Sequence, residues 1–184
     1  MFQTLLVKLA KAFDSQQIPY IVIGGQAVLL YGEPRLTRDI DITLGVDNSI
    51  APQIEELAKT IQLYPAVEQV DQFVKKSNVL PLYDTGTKIR VDLMFSFLPY
   101  ERQAMGRANP VLLEQYPVKY ASLEDIIIHK IFAGRSRDIE DVKSIIQRNP
   151  GFDRPYIELW LRGLSTSIDK DLLKDFNLIA KPNT

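Results

Sequence analysis

The chain of 184 residues has no cysteine and only one histidine, His129. The absence of cysteine excludes disulfide bonds, thiol catalysis and cysteine-based zinc sites. It also fits a reducing compartment, so we expect a cytoplasmic protein. The sequence contains no apolar run long enough to cross a membrane, and we expect no membrane partner.

The chain also lacks a strong charge of either sign. Its 22 basic and 23 acidic residues leave a formal net charge of −1. There is therefore no overall basic field to hold nucleic acid, and any surface for RNA or DNA must be a local patch. The hydrophobic share of 46% is ordinary for a globular protein.

The most informative segment joins a strand, a glycine turn and a helix start. Residues 20–23 are a mostly β-branched run, Gly24 and Gly25 follow it, and Gln26 opens a short helical pattern. A turn of this kind presents backbone N–H groups to an anion. We expect Gly24, Gly25 and Gln26 to bind the phosphates of a nucleotide.

Three aspartates on alternating strands provide a second signal. In residues 39–44 polar and apolar positions alternate, which puts Asp39 and Asp41 on one strand face, and residues 88–94 place Asp92 in the same way. Adjacent carboxylates repel unless a cation lies between them. Oxygen ligands without cysteine favour Mg²⁺ or Mn²⁺ over Zn²⁺, and two such ions form the usual clamp for displacement at phosphorus.

A group of charged residues follows in the helical part of the chain. Lys130 interrupts an apolar helix, where burial of a lone ammonium would cost several kcal/mol without a partner. A triphosphate or a carboxylate would supply that partner. Asp138 and Asp141 lie at i and i+3, so either could reach Lys130, and Arg135 could contact a nucleotide or form a surface network with the nearby acids.

The glycine pair, the Asp39-x-Asp41 pattern and Asp92 resemble the signature of the DNA polymerase beta-type nucleotidyltransferase superfamily. Within it, residues 36–41, 123–125 and 137–141 resemble the branch of AbiEii-type toxins and related bacterial and archaeal nucleotidyltransferases. The resemblance covers residues 18–148.

This resemblance implies transfer of a nucleoside monophosphate from a nucleoside triphosphate to an acceptor. It implies that Asp39, Asp41 and Asp92 bind the metal ions, and that Lys130 is a functional lysine, which would neutralise charge on the leaving pyrophosphate. Either Asp138 or Asp141 would be the acid of the last motif, and spacing does not separate them. Arg38 could contact phosphate or acceptor, or only neutralise the neighbouring acids.

The expected fold class is α/β (α+β), with a mixed β-sheet nucleotidyltransferase core flanked by helices and a C-terminal helical extension. We expect the core in residues 1–120 and the extension in residues 121–184, because strand patterns stop near residue 120. The N-terminal segment has helical spacing and is expected to be a packing helix rather than a signal peptide. The sequence also predicts a helix that is capped by Ser122, runs to Phe132 and stops at Gly134, and a turn at Pro117.

The sequence is compatible with more than one acceptor for the nucleoside monophosphate. The AbiEii-type resemblance suggests RNA, with the 3′ end of tRNA as the leading candidate, and an antitoxin protein as partner. An alternative is a small molecule such as an antibiotic, or a protein, as acceptor. The remaining alternative is a module that binds nucleotide without turnover.

Overall fold

The structure, a computed structural model, describes residues 1–96, 98–168 and 170–180. All strands lie between Tyr20 and Tyr120, interspersed with helices, and the described residues after Tyr120 form only helices and the segments that connect them. In chain order the elements are α1 (Phe2–Ser15), β1 (Tyr20–Ile23), α2 (Gly24–Tyr31), β2 (Asp39–Leu44), α3 (Ala51–Thr60), β3 (Leu63–Pro65), α4 (Val70–Ser77), β4 (Val79–Asp84), β5 (Arg90–Phe95), α5 (Pro99–Gly106), β6 (Asn109–Leu113), β7 (Tyr116–Tyr120), α6 (Leu123–Ala133), α7 (Ser136–Arg148), α8 (Arg154–Ser165) and α9 (Leu172–Ile179).

The strands form one mixed sheet in the order β3-β4-β5-β2-β1-β7-β6. The pairs β2–β5 and β1–β7 are parallel, and the other neighbours are antiparallel. Strand β2 is central because its apolar side chains are fully buried: Ile40, Ile42 and Leu44 have no exposed surface. This arrangement confirms the predicted α/β class with a mixed sheet and a helical C-terminal part.

Two compact units divide the chain. The first combines Met1–Gln26 with Thr37–Ala121 and contains the whole sheet. The second combines Ala27–Leu36 with Ser122–Thr184. The segment Ala27–Leu36 therefore belongs to the same unit as the C-terminal helices, whereas the predicted core, residues 1–120, includes it.

The ends of helix α6 follow the predicted capping chemistry. The Ser122 hydroxyl accepts a hydrogen bond from the backbone N–H of Asp125, and Gly134 adopts a left-handed conformation with φ of 63° at the C-terminus. An N-cap hydroxyl satisfies one of the N–H groups left unpaired in the first helical turn. Both predicted helix boundaries are confirmed.

The predicted turn at Pro117 is wrong. The chain reverses at Glu114 and Gln115, which have φ values of 47° and 66°, and Pro117 lies inside β7 opposite Leu112. Proline is tolerated there because β7 pairs with β1 at Tyr120 and not along its whole length, so a missing N–H at Pro117 costs no ladder hydrogen bond on that side.

Two short elements were not predicted from sequence. Strand β3 has three residues and is recognised through its pairing with β4, and α4 buries only Val74. Elements this short carry too few periodic positions to be identified locally. Within the described residues, no helix is both long and apolar enough to cross a membrane.

Candidate active site

The glycine turn connects β1 directly to helix α2. Gly24 begins the helix with φ of 63°, a conformation that residues with a side chain rarely adopt. A Cβ atom at this position would overlap the carboxylate of Asp41. Only glycine therefore lets the backbone of the turn approach Asp41 so closely.

The sheet register brings the predicted strand aspartates together. Asp41 of β2 is paired with Asp92 of β5, and Ile23 of β1 is paired with Asp41 on its other side. Asp39 lies two residues before Asp41 and is therefore on the same face. The three carboxylates lie on one face of two adjacent parallel strands, next to the turn that starts α2.

An arginine shares that face. Arg90 is paired with Asp39 in the β2–β5 register, and its Nε donates to Oδ1 of Asp92 at 2.9 Å. The hydrogen bond and charge of Asp92, assisted by the charges of Asp39 and Asp41, raise the pKa of Arg90. Arg90 is not among the site residues predicted from the sequence, although it alternates with Asp92 on the polar face of β5.

The ligand chemistry of this face fits a hard divalent cation. Three carboxylates supply only oxygen ligands, which suit Mg²⁺ or Mn²⁺. In the described part of the chain, however, no three histidine or acidic side chains are gathered closely enough to enclose a metal ion. One oxygen of Asp92 is bonded to Arg90 instead. The residue types therefore fit the ion, but one carboxylate oxygen of Asp92 accepts a hydrogen bond from Arg90.

The Gln26 side chain fixes the residue that leads into β2. Its Nε2 donates to Oγ1 of Thr37 at 2.7 Å, and both residues are buried. This hydrogen bond links the first turn of α2 to the residue two positions before β2. Arg38 follows Thr37 and is exposed.

In the second unit, Lys130 lies between two buried carboxylates. Its Nζ is 2.8 Å from Oδ1 of Asp138 and 2.8 Å from Oδ2 of Asp141, and all three side chains are less than a tenth exposed. The spacing of the two aspartates predicted that either could reach Lys130, and in the structure both contact it. These ion pairs remove the cost of burying a lone ammonium.

Two arginines extend this cluster. Arg135 Nε donates to Oδ2 of Asp138 at 2.7 Å, and Arg35 donates to both oxygens of Asp141. Burial opposes ionisation of Asp138, but the hydrogen bonds from Arg135 and Lys130 outweigh it and lower the pKa of Asp138. Lys130, Arg35 and Arg135 together outnumber the two carboxylates, so the cluster has an excess positive charge.

The segment before β2 is fixed to helix α7 by further hydrogen bonds. The backbone N–H of Glu33 donates to the Ser144 hydroxyl at 2.7 Å, and a guanidinium N–H of Arg137 donates to the Leu36 carbonyl at 3.2 Å. Together with the Arg35 contact, these bonds hold the loop that precedes Arg38 and Asp39 along the chain.

His129 has the properties of a packing residue. Its Nε2 is shielded from solvent, and loss of hydration, with a smaller effect of the Lys130 charge, lowers the pKa of His129 to about 4. The imidazole is therefore neutral near pH 7.

Comparison with known proteins gives a family match over most of the chain. The model of the family described as "Nucleotidyl transferase AbiEii toxin, Type IV TA system" matches residues 4–178. No curated protein matches the sequence.

Several solved structures share the fold at low sequence identity. The antibiotic-resistance factor ANT(2'')-Ia is 16% identical, with 90% of this chain and 91% of that chain covered and a TM-score of 0.61. An antigenic nucleotidyltransferase-like protein from Paracoccidioides brasiliensis is 20% identical, with 97% and 91% covered and a TM-score of 0.57. The lincosamide antibiotic adenylyltransferase LnuA, in its lincomycin-bound form, is 18% identical, with 74% and 91% covered and a TM-score of 0.51.

Proposed function

The chain belongs to the AbiEii family of nucleotidyl transferase toxins, and from this premise we propose that it transfers a nucleoside monophosphate from a nucleoside triphosphate to an acceptor. In this reaction an acceptor oxygen bonds to the α-phosphorus, the bond to the bridging oxygen breaks, and pyrophosphate leaves. The observation that carries the proposal is the register that places Asp39, Asp41 and Asp92 on one sheet face, with Gly24 against Asp41.

The glycine turn would bind the triphosphate. The backbone N–H groups of Gly24, Gly25 and Gln26 begin helix α2, where unpaired donors and the helix dipole favour an anion. The exposed Arg38 would add a guanidinium for a phosphate oxygen. Buried Gln26 and Thr37 would keep this segment in place through their hydrogen bond.

The strand aspartates would provide the reacting centre. Asp39, Asp41 and Asp92 would hold Mg²⁺ or Mn²⁺, which when bound would stabilise negative charge on the transferring phosphoryl group. The carboxylate of Asp92 would take the proton that the acceptor hydroxyl loses. Because all three carboxylates would be ligands of the ion, loss of one should abolish turnover without unfolding the sheet.

The cluster around Lys130 in the second unit would have a structural role of its own. Lys130 already contacts Asp138 and Asp141, so neutralising pyrophosphate, the role expected from sequence, would require it to leave both. We therefore assign Lys130 and the two aspartates a positioning role. The Arg135 side chain is 77% exposed, so among the cations of this cluster it is the one that an anion in solution can contact.

RNA is the acceptor that the family description favours, because it names a toxin of a toxin–antitoxin system. The 3′ end of tRNA presents the hydroxyl that such a transfer needs, and an antitoxin protein would be the partner. The second candidate is a small-molecule acceptor, favoured by the fold shared with antibiotic-modifying enzymes.

The test is incubation of the protein with each α-labelled nucleoside triphosphate, Mg²⁺ or Mn²⁺, and total RNA. Asp41→Asn removes one predicted ligand, and Asp71→Asn makes the same change at an exposed position of α4. We expect label in a tRNA-sized band with the wild type and Asp71→Asn, and none with Asp41→Asn. Equal labelling by all three proteins would refute the site.

Two further outcomes separate the alternatives. Release of pyrophosphate with label in an added antibiotic, and none in RNA, would replace the RNA acceptor with a small molecule. Nucleotide binding that needs no divalent cation and releases no pyrophosphate would indicate that the protein binds nucleotide without turnover.

A further inference from the structure

Arg90 is a cation on the face that carries the strand aspartates. Its position in β5 is opposite Asp39, and Asp92, two residues further on, is opposite Asp41. Arg90 and Asp92 therefore point to the same side of the sheet as Asp39 and Asp41. The Arg90 side chain is 58% exposed and reaches Oδ1 of Asp92, which is 19% exposed, at 2.9 Å.

This contact reduces the electrostatic repulsion among the carboxylates of the site. Three carboxylates on neighbouring positions repel one another, and repulsion of this kind destabilises a fold unless a cation is present. The Arg90 guanidinium contacts Asp92 directly and lies opposite Asp39 in the strand register, so its positive charge acts on this group of carboxylates. It neutralises part of the charge that would otherwise require a metal.

The same contact opposes metal binding. A divalent cation bound to Asp92 would share the carboxylate with a guanidinium of like charge, and charges a few ångströms apart repel even when partly exposed. The Nε donor also uses one of the two oxygens that a metal would need. Arg90 and the cation therefore compete for Asp92.

We propose that Arg90 is the resident counter-ion of Asp92, which a divalent cation displaces, and that this competition sets the affinity of the site for the cation. The inference rests on the proposed function, because it takes Asp39, Asp41 and Asp92 to be cation ligands. Arg90 is in this sense a positioning residue: it orients Asp92 in the metal-free protein.

The experiment measures Mn²⁺ binding to the full chain without nucleotide, by the loss of the free Mn²⁺ signal in electron paramagnetic resonance. Arg90→Gln removes the competing charge, and Arg102→Gln removes the same charge from an exposed position of α5. We expect Arg90→Gln to bind Mn²⁺ about two- to tenfold more tightly than the wild type. Arg102→Gln should match the wild type, and Arg90→Lys should lie between wild type and Arg90→Gln.

A second measurement addresses the stability of the variant. In the presence of a chelator Arg90→Gln should unfold at lower urea concentration than the wild type, and saturating Mn²⁺ should remove most of that difference. Arg90→Lys retains a charge on the face and serves as the binding test if the glutamine variant does not fold.

The possible outcomes distinguish failure of this inference from failure of the proposed function. Mn²⁺ binding that is lost in Asp41→Asn but is equal or weaker in Arg90→Gln and Arg90→Lys would overturn the role of Arg90 and leave the metal site intact. Absence of Mn²⁺ binding in the wild type and every variant would overturn the metal site, and the competition with it.

Discussion

Arg35 donates two parallel hydrogen bonds to Asp141, from Nε to Oδ1 at 2.8 Å and from the terminal Nη2 to Oδ2 at 2.9 Å. The side chain of Arg35 is 22% exposed and that of Asp141 is 5% exposed, so the pair is largely shielded from water. A planar guanidinium matches a carboxylate in this way and an ammonium does not. Asp141 thus links the loop before β2 to both helix α7 and Lys130.

Arg35→Lys should weaken this link although it retains the charge. A lysine offers a single point charge in place of two fixed donors, so we expect the free energy of unfolding to fall by about 1–2 kcal/mol. Urea denaturation measures the change. The matched variant Arg148→Lys, at an exposed position of α7, should change the stability by less than about 0.5 kcal/mol. Equal stability of the two variants would show that the double hydrogen bond contributes nothing.

Lys130→Met should be more damaging than any other lysine substitution in the described part of α6 and α7. It leaves Asp138 and Asp141 buried with only Arg135 and Arg35 as cationic partners. Breaking a buried ion pair typically costs about 3–5 kcal/mol, and the remaining arginines should keep the loss near about 3 kcal/mol. Lys143→Met, exposed on α7, is the control for urea denaturation. A loss below about 1 kcal/mol for Lys130→Met would contradict the prediction.

Gly24→Ala should destabilise the fold because the new methyl group meets two obstacles. The backbone there has φ of 63°, which costs a residue with a side chain about 1–2 kcal/mol, and Cβ would overlap the Asp41 carboxylate. Gly163→Ala provides the opposite case: it lies in α8, with no atom within 4 Å of the added Cβ. There we expect a gain of about 0.5–1 kcal/mol. Thermal unfolding of both variants would show whether their signs differ.

The stability should fall as the pH drops from 6.5 towards 4 because of His129. The fold lowers the pKa of His129 from 6.5 to about 4, so in this range the unfolded chain binds a proton that the native protein excludes. The free energy of unfolding keeps its full value with respect to His129 above pH 6.5. As the pH falls below 6.5 it decreases by at most about 1.4 kcal/mol per pH unit. Urea denaturation at several pH values should show a steeper decline for the wild type than for His129→Leu. Parallel curves would mean that the shift is absent.

Local patterns predicted the elements of the site better than the contacts between them. Alternation along β2 and β5 identified the polar face with Asp39, Asp41 and Asp92, and the structure confirms a mixed sheet with these strands as neighbours. Alternation cannot reveal that Arg90 is opposite Asp39, because register depends on the pairing of strands distant in sequence.

The cluster around Lys130 shows the same limit. The i and i+3 spacing of Asp138 and Asp141 predicted a shared neighbour, and Lys130 contacts both. Arg35 is separated from Asp141 by 106 residues, so no helical spacing could indicate their pairing. Pro117 was misassigned for a related reason: whether proline is tolerated in a strand depends on which neighbouring N–H positions are paired, and that is known only from the sheet.

The division of the chain into units also has a consequence for synthesis on the ribosome. Ala27–Leu36 is made early, but its partners in the second unit begin at Ser122. Until those helices emerge, Arg35 has no Asp141 and Glu33 has no Ser144, and closing a loop of this length costs conformational entropy. A nascent chain ending at residue 121 could complete the sheet while the segment before Asp39 lacked its anchors. The loop before β2 would then become ordered only after the helices that follow residue 121 are made, so chains shortened to that point should contain Asp39, Asp41 and Asp92 while this loop lacks its contacts with α7.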